Sequence, residues 1–205
     1  MRSAGTDMSD RPRRTLPGFA IAAVALLVLV LVGAGAVWFT QGGAPTIGGP
    51  FKLVNGQGKT VTDRDFRGHY LLVYFGYTFC PDVCPTTLNQ VAEALDALGP
   101  KGAEVQPLFI TVDPKRDTPQ VVGQYVEAFS PRLVGLTGTP EEIAKVAREY
   151  RVYYAIHKNA EQPADYTVDH SSILYLMSPS GAFIAPIRAD QSGADMAKDI
   201  ARHLS

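Results

Sequence analysis

Hydrophobic positions are distributed along the chain in three distinct ways. Residues 16–40, LPGFAIAAVALLVLVLVGAGAVWFT, form one long apolar run without a charge. Residues 71–77 (LLVYFGY) and the apolar centre of 104–113 (EVQPLFITVD) are shorter and show no alternation, which predicts buried strands. Elsewhere the pattern is periodic. Leu88, Val91, Leu95 and Leu98 recur at helical spacing, and Gly99-Pro100 ends that helix. Thr118-Pro119 predicts an N-cap and first turn, with Val122, Tyr125, Val126 and Phe129 as the buried stripe. Thr139-Pro140-Glu141-Glu142 predicts a capping box ahead of Ile143, Val146, Ala147 and Tyr150.

The remaining segments complete one domain. FKLVNGQGKTVT (51–62) predicts a hairpin about Asn55-Gly56 and Gly58. RLVGL (132–136) and VYYAIH (152–157) predict short strands, and residues 171–188 a second hairpin about Ser178-Pro179-Ser180-Gly181. Residues 193–203 close the chain as a helix. The order is a hairpin, then β-α-β-α-β-α, then ββα. That is an α/β sheet with parallel crossovers and an antiparallel edge, a thioredoxin-like arrangement. Residues 158–169, KNAEQPADYTVD, are polar and predict a loop, mobile without metal and more ordered with it.

Charge placement gives the apolar run a meaning. As a helix its 25 residues rise about 37 Å, enough for a bilayer core of about 30 Å. Arg11, Arg13 and Arg14 precede it, and the next basic residue is Lys52. The positive-inside rule then places residues 1–15 in the cytoplasm, a transmembrane anchor at 16–40, a Gly/Pro-rich linker at 41–49 and an exported domain at 50–205. The expected location is the cytoplasmic (inner) membrane, single-pass, with the domain on the periplasmic side. Ala34-Gly35-Ala36 gives a competing reading, a cleaved signal peptide. Either way the domain meets an oxidising compartment. Four of 19 basic and two of 20 acidic residues precede the run, so the exported part is mildly acidic. With no basic patch, nucleic-acid binding is excluded.

Both cysteines lie in YFGYTFCPDVCPTTL (74–88), directly after a predicted strand. Sites in open α/β sheets form beyond the carboxyl ends of the strands, which is where Cys80 and Cys84 fall. Their i, i+4 spacing brings both sulfurs to one side of a helical turn and also permits a disulfide. The helix N-terminus beneath them favours thiolates. Three intervening residues, against two in common thiol redox motifs, widen the bite enough to grip a soft metal ion. Of four histidines, His69 lies at the wrong sheet edge and His203 on the last helix. His157 ends a predicted strand and stays a candidate. His170 precedes strand 172–177, and if that strand runs antiparallel to 71–77 the imidazole faces the cysteines. Two sulfurs and one nitrogen suit Cu(I), with Cu(II) or zinc also accommodated. A structural disulfide and a pure redox pair are the alternatives.

CPDVCP (80–85), TVDPKRDTP (111–119) and VDHSSILYLMSPSG (168–181) together resemble the Sco/SenC family of membrane-anchored copper chaperones, over about residues 50–205. The resemblance implies a thioredoxin-like fold with copper ligands at Cys80, Cys84 and His170. It implies a role in assembling the dinuclear CuA centre of cytochrome c oxidase, by delivering copper or by reducing the cysteines there. The implied partners are the CuA-bearing subunit and an upstream copper donor. Phe79 departs from the polar residue or histidine of many relatives. A thiol-disulfide oxidoreductase needing only the cysteines is the competing function, and turnover chemistry beyond that is not implied.

Other residues have two readings each. Asp113 is a residue behind the metal site or a partner-docking residue by resemblance, or a plain turn-former. Lys115, Arg116 and Asp117 are a docking surface or a solvated loop. Tyr77 and Phe79 shield the metal or pack the core. Asp169 is a candidate for orienting His170, since a metal-bound imidazole commonly donates its other N–H to a carboxylate or carbonyl.

Overall fold

A computed structural model describes residue 23 and residues 26–33, 47–158 and 166–204. The chain divides into two units, Met1–Pro45 and Thr46–Ser205. In the first, residues 26–33 are helical. The predicted anchor at 16–40 and the cytoplasmic stretch lie largely outside the described residues. No helix among the described residues is long and apolar enough to cross a membrane.

In the second unit, β1 (Lys52–Asn55) and β2 (Thr60–Thr62) form the first hairpin. Its turn is closed by Asn55, whose side chain accepts from the backbone N–H groups of Gln57 and Lys59. β3 (Tyr70–Gly76) is buried at all seven positions. It pairs in parallel with β4 (Val105–Thr111), which pairs in parallel with β5 (Val134–Thr137). α1 (Val83–Ala97) crosses from β3 to β4, and α2 (Pro119–Glu127) from β4 to β5. α3 (Pro140–Glu149) follows with the expected capping box, Thr139 Oγ1 accepting from Glu142 N–H and the Glu142 carboxylate from Thr139 N–H. β8 (Ile173–Met177), β9 (Phe183–Arg188) and α4 (Gly193–Ala201) complete the unit.

The sheet order is β2-β1-β5-β4-β3-β8-β9. Side chains alternate across it, so each face has its own core. Leu72, Tyr74 and Phe109 face α1, α2 and α4, meeting Leu88, Val122 and Ile200. Val73, Phe75, Leu108 and Ile110 face α3, meeting Ile143 and Val146.

One expectation is corrected. Residues 158–169 are not simply a loop: Lys158 ends β6 (Tyr154–Lys158) and Tyr166–His170 form β7. The two pair antiparallel as a separate two-stranded sheet, with Tyr154 opposite His170 and Lys158 opposite Tyr166. Tyr166 and Val168 are buried while Thr167 and Asp169 are exposed, so this short polar stretch does alternate.

Candidate metal centre

β3 delivers the chain to the carboxyl edge of the sheet, and residues 77–82 turn over that edge into α1. Three separate contacts fix the turn. Cys80 N–H donates to the Tyr77 carbonyl at 3.2 Å. Thr78 donates from its backbone N–H and its hydroxyl to the Asp117 carboxylate, at 3.0 and 2.6 Å. Thr111 Oγ1, at the end of neighbouring β4, donates to the same carboxylate at 2.5 Å. Asp117 is fully buried, and that burial raises its pKa against the lowering effect of these donors.

Cys84 sits in the first turn of α1, fully buried, and Cys80 is half-buried just before it. Both are free thiols, the reduced form of the pair. Cys84 N–H points at Cys80 Sγ at 3.4 Å, so the helix end faces that sulfur. The space for Cys84 exists because residue 76 is glycine. A Cβ there would lie 2.8 Å from Cys84 Sγ and 2.9 Å from the Phe109 ring.

His170 arrives from the far end of the domain. β8 pairs antiparallel with β3, Leu174 opposite Tyr74, so the segment entering β8 lies over the exit of β3. His170 Nε2 is 3.2 Å from Cys84 Sγ. The Cys80, Cys84 and His170 donor atoms all lie within 4.8 Å of one another. His170 Nδ1 meets the Ser171 carbonyl at 3.2 Å. The tautomer protonated on Nδ1 satisfies that carbonyl and turns the Nε2 lone pair toward the sulfurs. Tyr74 and Tyr77 pack against the imidazole in T-shaped arrangements at centroid distances of 5.9 and 6.0 Å.

The thiols are electrostatically unequal. The Cys84 S–H donates to Cys80, and the backbone N–H groups of Cys84 and Asp82 add to it against the opposing effect of partial burial, holding the Cys80 pKa far below the ordinary thiol value, at about 3. Cys84 moves the other way, pushed up by the neighbouring Cys80 sulfur and by burial. The metal-free pair is therefore one thiolate and one thiol that hydrogen-bonds to it. A cation entering the cluster displaces the remaining proton and meets two sulfurs and a nitrogen.

The other candidates sort differently from their sequence expectations. His157 does not reach the cluster: its Nε2 pairs with Asp169 Oδ2 at 2.9 Å on the exposed outer face of the β6–β7 ribbon. That contact also removes Asp169 as the group orienting His170, a task the Ser171 carbonyl performs. Asp113 is only 2% exposed, so it offers no docking surface. It accepts from the Tyr166 hydroxyl at 2.7 Å and from Arg116 Nε. Of Lys115, Arg116 and Asp117, Lys115 is exposed, Arg116 is partly buried in the turn and Asp117 is fully buried. Tyr77 is buried, whereas Phe79 is 61% exposed and packs no core.

Two residues have roles that sequence reasoning did not assign. Tyr74, taken as a core strand residue, points its hydroxyl at Cys84 Sγ at 3.8 Å. Arg116 links the two halves of the centre. Its guanidinium lies 3.6 Å from the Tyr166 ring centroid and 4.8 Å from that of Phe79, and donates to the Tyr166 carbonyl at 3.0 Å. Asp117 was weighed only with its neighbours; its place in TVDPKRDTP was the one available signal.

An α/β domain whose sheet edge converges two sulfurs and an imidazole defines a thioredoxin-like, soft-metal-binding class of protein. Comparison narrows it further. A profile of the SCO1/SenC family matches residues 39–205, and the chain belongs to that family. It is 51% identical over 143 residues to the mitochondrial SCO1 homolog 1 of Arabidopsis thaliana, covering 69% of this chain and 42% of that protein. It is 44% identical over 164 residues to the human mitochondrial SCO1 homolog, covering 79% and 54%. The chain thus spans about half the length of these curated relatives. The solved structure of Bradyrhizobium japonicum ScoI with copper bound superposes with a TM-score of 0.70 at 45% identity, covering 77% of this chain and 99% of that one. The solved chain of that relative thus corresponds almost entirely to the second unit of this one.

Proposed function

We propose that this protein is a copper chaperone that holds its cargo through Cys80, Cys84 and His170 and assists assembly of the CuA centre of cytochrome c oxidase. The observation that carries the reading is the convergence of the three donor atoms within 4.8 Å. The donor set fits the ion: thiolates and imidazole at low coordination number suit Cu(I). Similarity to a copper-bound relative supports the same choice. The partners proposed are the CuA-bearing subunit and an upstream copper donor. The charge-free run at 16–40, with three arginines before it, supports a single-pass anchor in the cytoplasmic membrane with the domain on the periplasmic side.

In this mechanism the reduced pair and His170 hold Cu(I), and a partner's cysteines approach the open side. Thiolate exchange then moves the ion one ligand at a time. Passing two electrons from the pair to a disulfide oxidant, which is cleaved to two thiolates, forms the Cys80–Cys84 disulfide, withdraws both sulfur ligands and releases the metal. The test is copper stoichiometry and X-ray absorption of reduced residues 46–205. One Cu(I) with two sulfur neighbours and one nitrogen is expected, and His170→Ala loses tight binding whereas His157→Ala retains it. Failure to take up Cu(I) overturns the reading. Protease treatment of spheroplasts tests the topology: the domain is expected to be digested from outside.

One observation favours a second reading, thiol-disulfide exchange. The half-buried Cys80 Sγ receives the Cys84 N–H of the helix end at 3.4 Å, which favours its thiolate, while Cys84 behind it is fully buried. The thiolate can attack a partner's disulfide to form a mixed disulfide, which Cys84 resolves. Two electrons and the single proton of Cys84 pass to the partner, solvent supplying the proton that completes its second thiol, and Cys80–Cys84 is left oxidised. Stoichiometric reduction of a CuA-type disulfide by a domain that binds no copper would establish this reading.

A further inference from the structure

The inner face of β6 holds an anomaly. Strand alternation puts Tyr154, Ile156 and Lys158 on the side that faces the body of the domain. Yet Ile156 remains 50% exposed. The cause is a cavity of about 470 Å³ between β6, the loop after β4 and the start of α3. Its walls are apolar, with Val112 and Ile143 behind and Tyr154 and Ile156 in front. The volume falls in the range of sites that enclose small organic ligands, roughly 300–1,000 Å³.

The charged groups at this cavity are asymmetric. Lys115 and Lys158 both line it and both are exposed. Neither has a carboxylate partner among the described residues. The one acid in the lining, Asp113, is already neutralised by Arg116 and capped by the Tyr166 hydroxyl. An apolar interior with two ammonium groups that no described carboxylate pairs selects for a ligand with an aliphatic or aromatic body and an anionic head.

We propose that this cavity is a binding site for a small amphipathic carboxylate, its hydrocarbon body between Ile143 and Ile156 and its head between Lys115 and Lys158. The site is separate from the thiol–imidazole centre, since its lining includes none of Cys80, Cys84 and His170. It stands or falls independently of copper binding.

The test uses metal-free, reduced residues 46–205 titrated with decanoate, followed by methyl NMR shifts and calorimetry. Saturable binding with shifts at Val112, Ile143 and Ile156 is expected. Lys115→Gln with Lys158→Gln should weaken it about fivefold, as should replacing decanoate by neutral decanol, since each exposed charge contact contributes modestly. Ile156→Trp should fill the cavity and abolish binding while leaving the fold's amide spectrum intact. The proposal is overturned by absence of saturable binding, by equal affinity for decanol, or by indifference to the lysine substitutions. Binding that survives Ile156→Trp, with shifts elsewhere, overturns it as well.

Discussion

Cys80 and Cys84 sit at the edge of a seven-stranded sheet, where β3 is paired on both sides, while His170 ends a strand whose one partner among the described residues is β6. The cysteine turn is fixed by a buried carboxylate that gathers three donors from two strand ends. The histidine strand is held to the body by side chains: Arg116 on its first residue, Asp113 on the Tyr166 hydroxyl, aromatic rings around the imidazole. The contrast assigns different tasks. A rigid half presents the sulfurs, and a ribbon with a smaller share of the core brings in the nitrogen. Regions that open most easily are those with few buried contacts and exposed backbone bonds.

The largest expected effect tests whether both halves are needed. Cys84→Ser or His170→Ala in residues 46–205 should weaken Cu(I) binding by more than about a hundredfold in a competition titration, because each deletes one of three ligands. Retention of wild-type affinity by either variant would separate that half from the site.

Next comes the reactivity of the sulfurs. An ordinary thiol loses thiolate tenfold per unit as pH falls below about 8.5. Cys80, with its pKa held at about 3, should alkylate with iodoacetamide at a nearly constant rate from pH 8 to pH 5. Cys84, fully buried and shifted upward, should stay unmodified over that range. The sign for stability follows. A depressed acid contributes fully above its unfolded value, and the contribution of Cys80 declines as pH falls from about 8.5 toward 3. Peptide mapping after timed alkylation checks both sites.

Smaller effects sharpen the contrast. Asp117→Ala leaves the buried Thr111 donor and the part-buried Thr78 donors unpaired and should cost about 2–4 kcal/mol in urea unfolding. Arg116→Lys keeps the charge but loses the planar stack and the fixed donor fork. Amide exchange in β6 and β7 should quicken by about tenfold, with β3 and β4 unchanged; uniform quickening would show that the halves are not separable. His157→Ala removes one exposed contact to Asp169 and should move stability by less than about 0.5 kcal/mol.

Much of the rigid half was legible in the sequence, because its signals are local. Unbroken apolar runs marked β3 and β4, and Thr-Pro pairs marked the starts of α2 and α3. His170 could be placed because one pairing, β8 against β3, determines which end of the strand meets the cysteines. The ribbon was legible only in part. VYYAIH was visible as a strand, but its partner YTVDH is five residues of alternating polar and apolar character, too short to stand out from its polar flank. The roles of Asp113, Arg116 and Asp117 depend on contacts as far as 53 residues away in sequence, which no spacing rule contains.

Gly76 has a consequence of its own. The deep seat of the second sulfur exists because nothing grows from residue 76. Even one methyl group there must be absorbed either by the Phe109 ring or by raising Cys84 toward the imidazole, 3.2 Å above it. Residue 76 thus works as a depth stop, and the smallest possible substitution at a position that binds nothing would reset the span between sulfur and nitrogen.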